Sequence, residues 1–184
     1  MEEKSRYPQV MVSAEMLSEA SRLCGRVSVD RTRASEIDTL TGILGEYVFA
    51  QFFFGDWRRN LVGRNRGETD FRGIEVKTSA FPFNQKLNLL VREDYAMKRK
   101  PAFYVQVVLD VNSRAADAIM PGTAAYLCGF ASSAEVDRAP KKDFGSKYGG
   151  QGGYLCHHIP IVQLHPISGL RAAWQAWRAA CGNR

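Results

Sequence analysis

Long apolar runs are missing from this chain, and cysteine, histidine and acid are all sparse. No stretch of about 18 apolar residues occurs in its 184 residues, and no basic segment followed by an apolar one opens it. We therefore expect neither a membrane span nor a secretory signal, and a cytoplasmic protein. Cys24, Cys128, Cys156 and Cys181 are scattered without a Cys-x-x-Cys pair, which argues against a disulfide framework or a structural zinc site and for reduced thiols. Cys156-His157-His158 with His165 nearby makes a poor metal cluster, because strand alternation sends adjacent residues to opposite faces. The glycine-rich stretch from Gly145 to Gly153 lacks the Gly-x-x-x-x-Gly-Lys-Ser/Thr order of a nucleotide-binding loop and reads as a connector. There is no internal repeat and no low-complexity block. Acid is the scarcer sign, and the net charge of +6 favours an anionic partner.

What remains is an ordinary globular composition, 45% hydrophobic and 24% charged, in a chain long enough to bury a core as one domain. Within it, the stretch Thr69-Asp70-Phe71-Arg72-Gly73-Ile74-Glu75-Val76-Lys77-Thr78 reads as a tight β-hairpin. Phe71, Ile74 and Val76 are strand formers, and Arg72-Gly73 supplies a two-residue turn. Asp70 then faces Glu75 on an antiparallel pair, with Cβ atoms about 5 Å apart, and the period of two puts Lys77 on the face of Glu75. Opposed acids repel unless a cation sits between them. Mg²⁺ suits the pair, since it is commonly held by one or two carboxylates, waters and phosphate oxygens. Lys77 cannot ligate while protonated, but it is placed to orient or help deprotonate a water attacking phosphorus, or to stabilise phosphoryl charge. The same residues also fit a solvated hairpin face in which Lys77 pairs with Glu75 or Glu68.

Upstream, Ser35 with Asp38 three positions on gives a capping pattern before an apolar helix. It runs through Leu40, Ile43, Leu44, Tyr47, Val48, Phe49, Phe52 and Phe53 and ends near Gly55. Between Asp38 and Asp56 the one formally charged residue is Glu46, whose helical neighbours are Gly42, Ile43, Phe49, Ala50 and Phe53. A carboxylate in such surroundings must be paired, protonated or metal-bound. An internal salt bridge or a loop cap would satisfy Glu46, and so would a position beside Asp70, Glu75 and Lys77.

These residues together resemble the core pattern of the PD-(D/E)XK nuclease superfamily, which includes many restriction endonucleases and Holliday-junction resolvases. In that family a glutamate on the first core helix precedes an acid near one strand and an acid-x-Lys tripeptide on the next; here these are Glu46, Asp70 and Glu75-Val76-Lys77. Thr69 stands where the motif's name puts proline. The resemblance implies an α/β fold with a restriction endonuclease-like mixed central β-sheet flanked by helices. It further implies Mg²⁺, with Mn²⁺ as a substitute, bound by Asp70, Glu75 and the Val76 carbonyl with help from Glu46, while Lys77 assists the attacking water. It covers residues 35–80 specifically and is loose beyond.

The remaining chain supplies the expected frame. Ser13–Leu23 reads as a helix with Met16, Leu17 and Ala20 on one face, inside an N-terminal helical or arm segment, 1–33, ahead of the main body, 34–184. Leu87–Val91 reads as a strand, Arg92–Lys100 as a short basic helix and Ala102–Val111 as a central strand buried on both faces. Ala125–Phe130 reads as a further strand, Ser132 with Glu135 as a helix cap, and Tyr154–Leu164 as a last strand. Leu170, Trp174 and Trp177 form a helical stripe that packs on the core. Arg58, Arg59, Arg64, Arg66, Arg72, Arg92, Lys98, Arg99 and Lys100 lie on both sides of the hairpin in sequence. Of these, Arg64, Arg66, Arg72, Lys98, Arg99 and Lys100 are the candidate phosphate contacts, although solvated loops would carry the same charges. The expectation is a Mg²⁺-dependent endonuclease acting on DNA, with RNA and homodimer formation left open and no membrane partner. The alternative is a catalytically silent nucleic-acid-binding or assembly module on the same fold.

Overall fold

Phe103–Asp110 forms the middle of a four-stranded sheet because its side chains are apolar on both faces. The computed structural model describes residues 5–24, 36–60, 69–98, 100–112, 118–144 and 155–182, without the side chains of residues 36, 95, 97, 98 and 182. In chain order the strands are β1 (Gln9–Met11), β2 (Ile74–Phe81), β3 (Asn88–Arg92), β4 (Phe103–Asp110), β5 (Ala124–Ser132), β6 (Lys141–Asp143) and β7 (Leu155–Pro160). The helices are α1 (Ala14–Cys24), α2 (Glu36–Phe54), α3 (Glu93–Lys98), α4 (Ser133–Arg138) and α5 (Leu170–Gly182). The larger sheet has the order β1-β5-β4-β2, with β2 parallel to β4 and the other pairs antiparallel; a second, antiparallel sheet has the order β3-β7-β6. The protein is thus a mixed α/β fold with two sheets. Among the described residues no helix is long and apolar enough to cross a membrane.

Alternation along β4 divides the core. Val105, Val107 and Leu109 face the helices α1, α2 and α5, while Tyr104 and Val108 face the second sheet with Leu89, Val91, Ile161 and Leu164. Helix α2 is apolar nearly all round because it is enclosed nearly all round. Leu44, Val48, Phe49 and Ala50 have no exposed surface. Its contact with β2 is set by Gly45, where any Cβ would overlap the Thr78 side chain. Glycine therefore lets helix and strand backbones approach more closely than alanine would.

Several expectations need adjustment. The N-terminal segment packs on the main body: β1 is an edge strand against β5, and Met16 and Ala20 join the α2 core. The last strand stops at Pro160, which has no N–H for a ladder, and a 3-10 turn follows at Ile161–Gln163. Arg92 belongs to β3, and the helix after it begins with Glu93 and Asp94. The capping box at Ser132 and Glu135 forms as read. His157 and His158 do split: His157 is buried, with its ring near the Ala139 carbonyl, and His158 is half-buried beside Phe144. The stretch 145–153 lies outside the described residues.

The largest correction concerns the hairpin. Arg72-Gly73 does form a two-residue turn closed by paired Phe71 and Ile74 hydrogen bonds of 3.0 and 2.8 Å, but that single bridge is its whole length. β2 pairs in parallel with β4 along its other edge, and on the edge that meets Phe71 the Asp70 side chain takes the Val76 N–H that the next rung of a hairpin would need, so Asp70 is no cross-strand neighbour of Glu75.

Gly45→Ala should lower stability by about 1–3 kcal/mol through overpacking, read as a lower urea midpoint, and adding Thr78→Ala should recover part of the loss. An unchanged midpoint for Gly45→Ala would mean that α2 and β2 have room to spare.

Candidate active site at the free edge of strand β2

The turn ahead of β2 is held from several sides. The Thr69 hydroxyl donates to the Phe71 carbonyl at 2.5 Å and accepts from the Gly73 N–H at 3.2 Å. The Gly73 carbonyl accepts from Ala102 and Phe103 at 2.8 and 3.0 Å, and the Arg72 carbonyl accepts from Trp174 Nε1 at 2.8 Å. Gly73 has φ of 75°, and a Cβ there would meet the Trp177 ring. The tryptophan stripe of α5 thus packs on the turn as well as on the core. Thr69, in the place of the motif's proline, is part of this clamp.

So held, the turn aims the Asp70 carboxylate at β2. Asp70 Oδ2 accepts from the Val76 N–H at 2.7 Å. Among the described residues no strand pairs with that edge of β2. The N–H and C=O of one strand residue point to the same side, so the Val76 carbonyl leaves β2 along the edge that carries Asp70.

Glu75 and Lys77 share the face of β2 that looks toward the second sheet, across from Tyr104 and Gln106. Lys77 Nζ lies 2.8 Å from Glu75 Oε1, with side-chain exposures of 28% and 13%. Glu75 Oε2 is buried and has no hydrogen-bond partner. Tyr104 feels the nearby charge: its hydroxyl is pushed up to about 12 by burial and then by Glu75.

Glu46 reaches the cluster from α2. Its Oε2 accepts from Asn60 Nδ2 at 2.8 Å, just beyond the short 3-10 turn Trp57–Arg59. Its pKa is pushed up to about 8, first by burial and then by the Asp70 charge, with a smaller push from Glu75; the Asn60 hydrogen bond and the Lys77 charge oppose this. The charges of Asp70, Glu75 and Lys77 all act on Glu46, so the four side chains share one neighbourhood. Burial first, then the neighbouring carboxylates, raises Glu46, and among the described residues Glu75 Oε2 is left without a hydrogen-bond partner. Such a set fits a hard divalent cation. Among the described residues no three His, Cys, Asp or Glu side chains form a ready-made metal group. An ion here would rest on few protein ligands, the Val76 carbonyl included, and on water, which is the usual habit of Mg²⁺.

The proposed phosphate contacts are less evident. Arg64, Arg66 and Arg99 lie outside the described residues, as does the Lys98 side chain. Arg72 is exposed on the turn, and Lys100 is exposed and 2.8 Å from Asp137. Arg58 pairs with Glu15 at 2.8 Å and lies over the Trp57 ring, and Arg92 pairs with Asp94 at 2.8 Å. Surface pairs of this kind are worth roughly 0–1 kcal/mol, so each cation can exchange its carboxylate for a phosphate. Asn60, which binds Glu46, and Thr69, which closes the turn, are contacts that sequence reasoning missed; neither lies on a periodic face, so no pattern marks them. No known protein family, curated protein or solved structure matches this chain.

The Glu46 environment has a measurable consequence in metal-free buffer. Unfolded, the group titrates near 4.5; folded, near 8. Between those values the folded state keeps a proton that the unfolded state has lost, so stability falls as pH rises from about 5 to about 8. The thermal midpoint of the parent should decline over that window more steeply than that of Glu46→Gln. Parallel curves would place Glu46 in an ordinary, open environment.

Proposed function

We propose that this protein is a Mg²⁺-dependent nuclease hydrolysing DNA phosphodiester bonds, on a restriction endonuclease-like PD-(D/E)XK fold. The observation that carries the reading is the convergence of Glu46, Asp70, Glu75 and Lys77 at one end of an edge strand, with a carboxylate oxygen buried and unsatisfied. An apolar helix carrying Glu46 and lying against the acid-x-Lys strand agrees with the resemblance drawn from sequence.

In this reading Asp70, Glu75 and the Val76 carbonyl hold the cation, and Glu46 binds it or its waters. The bound ion would supply Lewis-acid polarisation of the phosphodiester and a more acidic water. Lys77 is kept beside the reacting phosphate by Glu75 and either orients the attacking water or stabilises charge on the phosphoryl oxygens. Asp70 has a second duty. Its carboxylate is the partner of an edge N–H, so it positions the backbone whose carbonyl it accompanies. The overall positive charge favours a polyanion.

A second reading has one observation in its favour, since the Lys77–Glu75 contact satisfies the lysine without any reaction. It makes the protein a nucleic-acid-binding or assembly module. Titrating Mg²⁺ and Mn²⁺ against duplex DNA, single-stranded DNA and RNA separates the two, because a module binds without cleaving any of them.

Lys77→Ala should lower turnover by about 100-fold or more while leaving DNA affinity and Mn²⁺ binding nearly unchanged, because its help is confined to the transition state. Asp70→Asn, which keeps the size of the side chain that caps the Val76 N–H, should lose Mn²⁺ affinity as well as activity. Cleavage at the parent rate by Lys77→Ala would return Lys77 to a plain ion pair.

A further inference from the structure

Beside Lys77 lies a cavity of about 380 Å³, lined by β2 and β4, by the start of α2 and by Phe144 after β6. It lies within the roughly 300–1,000 Å³ range of small-ligand pockets. Its polar lining is built into the core. Gln106 is 1% exposed and sits opposite Gly129, where the β4–β5 register shifts, with Nε2 donating to the Val107 carbonyl at 2.7 Å and to Ser79 Oγ at 3.2 Å. Thr41 is buried too, and the buried Thr78 hydroxyl has no hydrogen-bond partner. Phe144 contributes an exposed ring at the mouth, with Lys142 over it.

Resting on the nuclease reading above, we infer that this cavity receives one unpaired nucleobase next to the scissile phosphate. The substrate would then be DNA with an unpaired or extruded nucleotide at the cleavage point. Position is the first reason: Lys77 belongs both to the carboxylate cluster and to the cavity wall, so a group seated here is a near neighbour of the reacting phosphate. Size is the second. A paired base cannot enter such a pocket without leaving its stack, whereas an unpaired base enters with little unstacking to overcome. The lining is the third, because amide and hydroxyl groups suit the polar edges of a base and the Phe144 ring suits its face.

The test uses the intact protein and three oligonucleotides: a fully paired duplex, the same duplex with one unpaired 2-aminopurine, and the same duplex with an abasic residue at that position. Binding is followed by 2-aminopurine fluorescence and competition in Ca²⁺, and cleavage is followed separately in Mg²⁺. We expect the unpaired base to improve binding by about tenfold over both the paired and the abasic duplex, with quenching on binding, as one base–aromatic stack can provide. Phe144→Ala should remove most of that preference while leaving cleavage of paired duplex unchanged; Thr41→Leu, which fills the cavity, should remove it by a second route. Equal binding of the base and abasic duplexes, or a preference that survives both substitutions, would overturn the inference. Cleavage without the preference leaves the nuclease reading standing alone, and the preference without cleavage of any substrate leaves the binding pocket standing alone.

Discussion

The hydrogen bond from the Val76 N–H to Asp70 Oδ2, 2.7 Å long at the outer edge of β2, is the contact around which the site is arranged. It exists because the preceding turn has no freedom. Thr69 closes the turn from within, the Ala102 and Phe103 N–H groups and Trp174 bind its carbonyls, and Trp177 fills the space that a Cβ at Gly73 would need. A charge-assisted hydrogen bond at this strand edge both orients the acid and blunts the edge. Val76 itself is anchored by the opposite side of its strand, where β2 lies parallel to β4, and by its side chain under α2.

Electrostatics follows from this geometry. Once Asp70 is fixed at the edge, Glu75 and Lys77 project together from the next positions, and Glu46 arrives from the helix behind. Lys77 satisfies one oxygen of Glu75 and leaves the other buried and unmatched. Glu46 is left to hold its proton to an unusually high pH. On the proposed reading a bound cation would offset part of the cost of placing these carboxyl groups together. A purely structural cluster would gain more from apolar side chains of similar volume.

Much of this was legible in the sequence, and for identifiable reasons. Helix α2 shows as an apolar run too long for a strand, and Glu46 stands out in it as the one charge between Asp38 and Asp56. The Arg72-Gly73 turn, the Ser132 cap and the doubly buried β4 are local features, set by turn chemistry, capping and side-chain alternation. Glu75 and Lys77 share a face through the period of two, whichever partner their strand takes.

The partner itself was not legible. β2 uses both of its edges: β4, some 30 positions on in sequence, lies along one, and the hairpin on the other ends after a single bridge because the Asp70 side chain takes the Val76 N–H. Asn60 and the cavity beside Lys77 have no sequence pattern either. The sequence by itself determined which residues are charged, which are turn formers and which alternate, because those properties act over a few bonds. Only the tertiary structure decided which carboxylates meet, because burial and desolvation depend on everything packed around them.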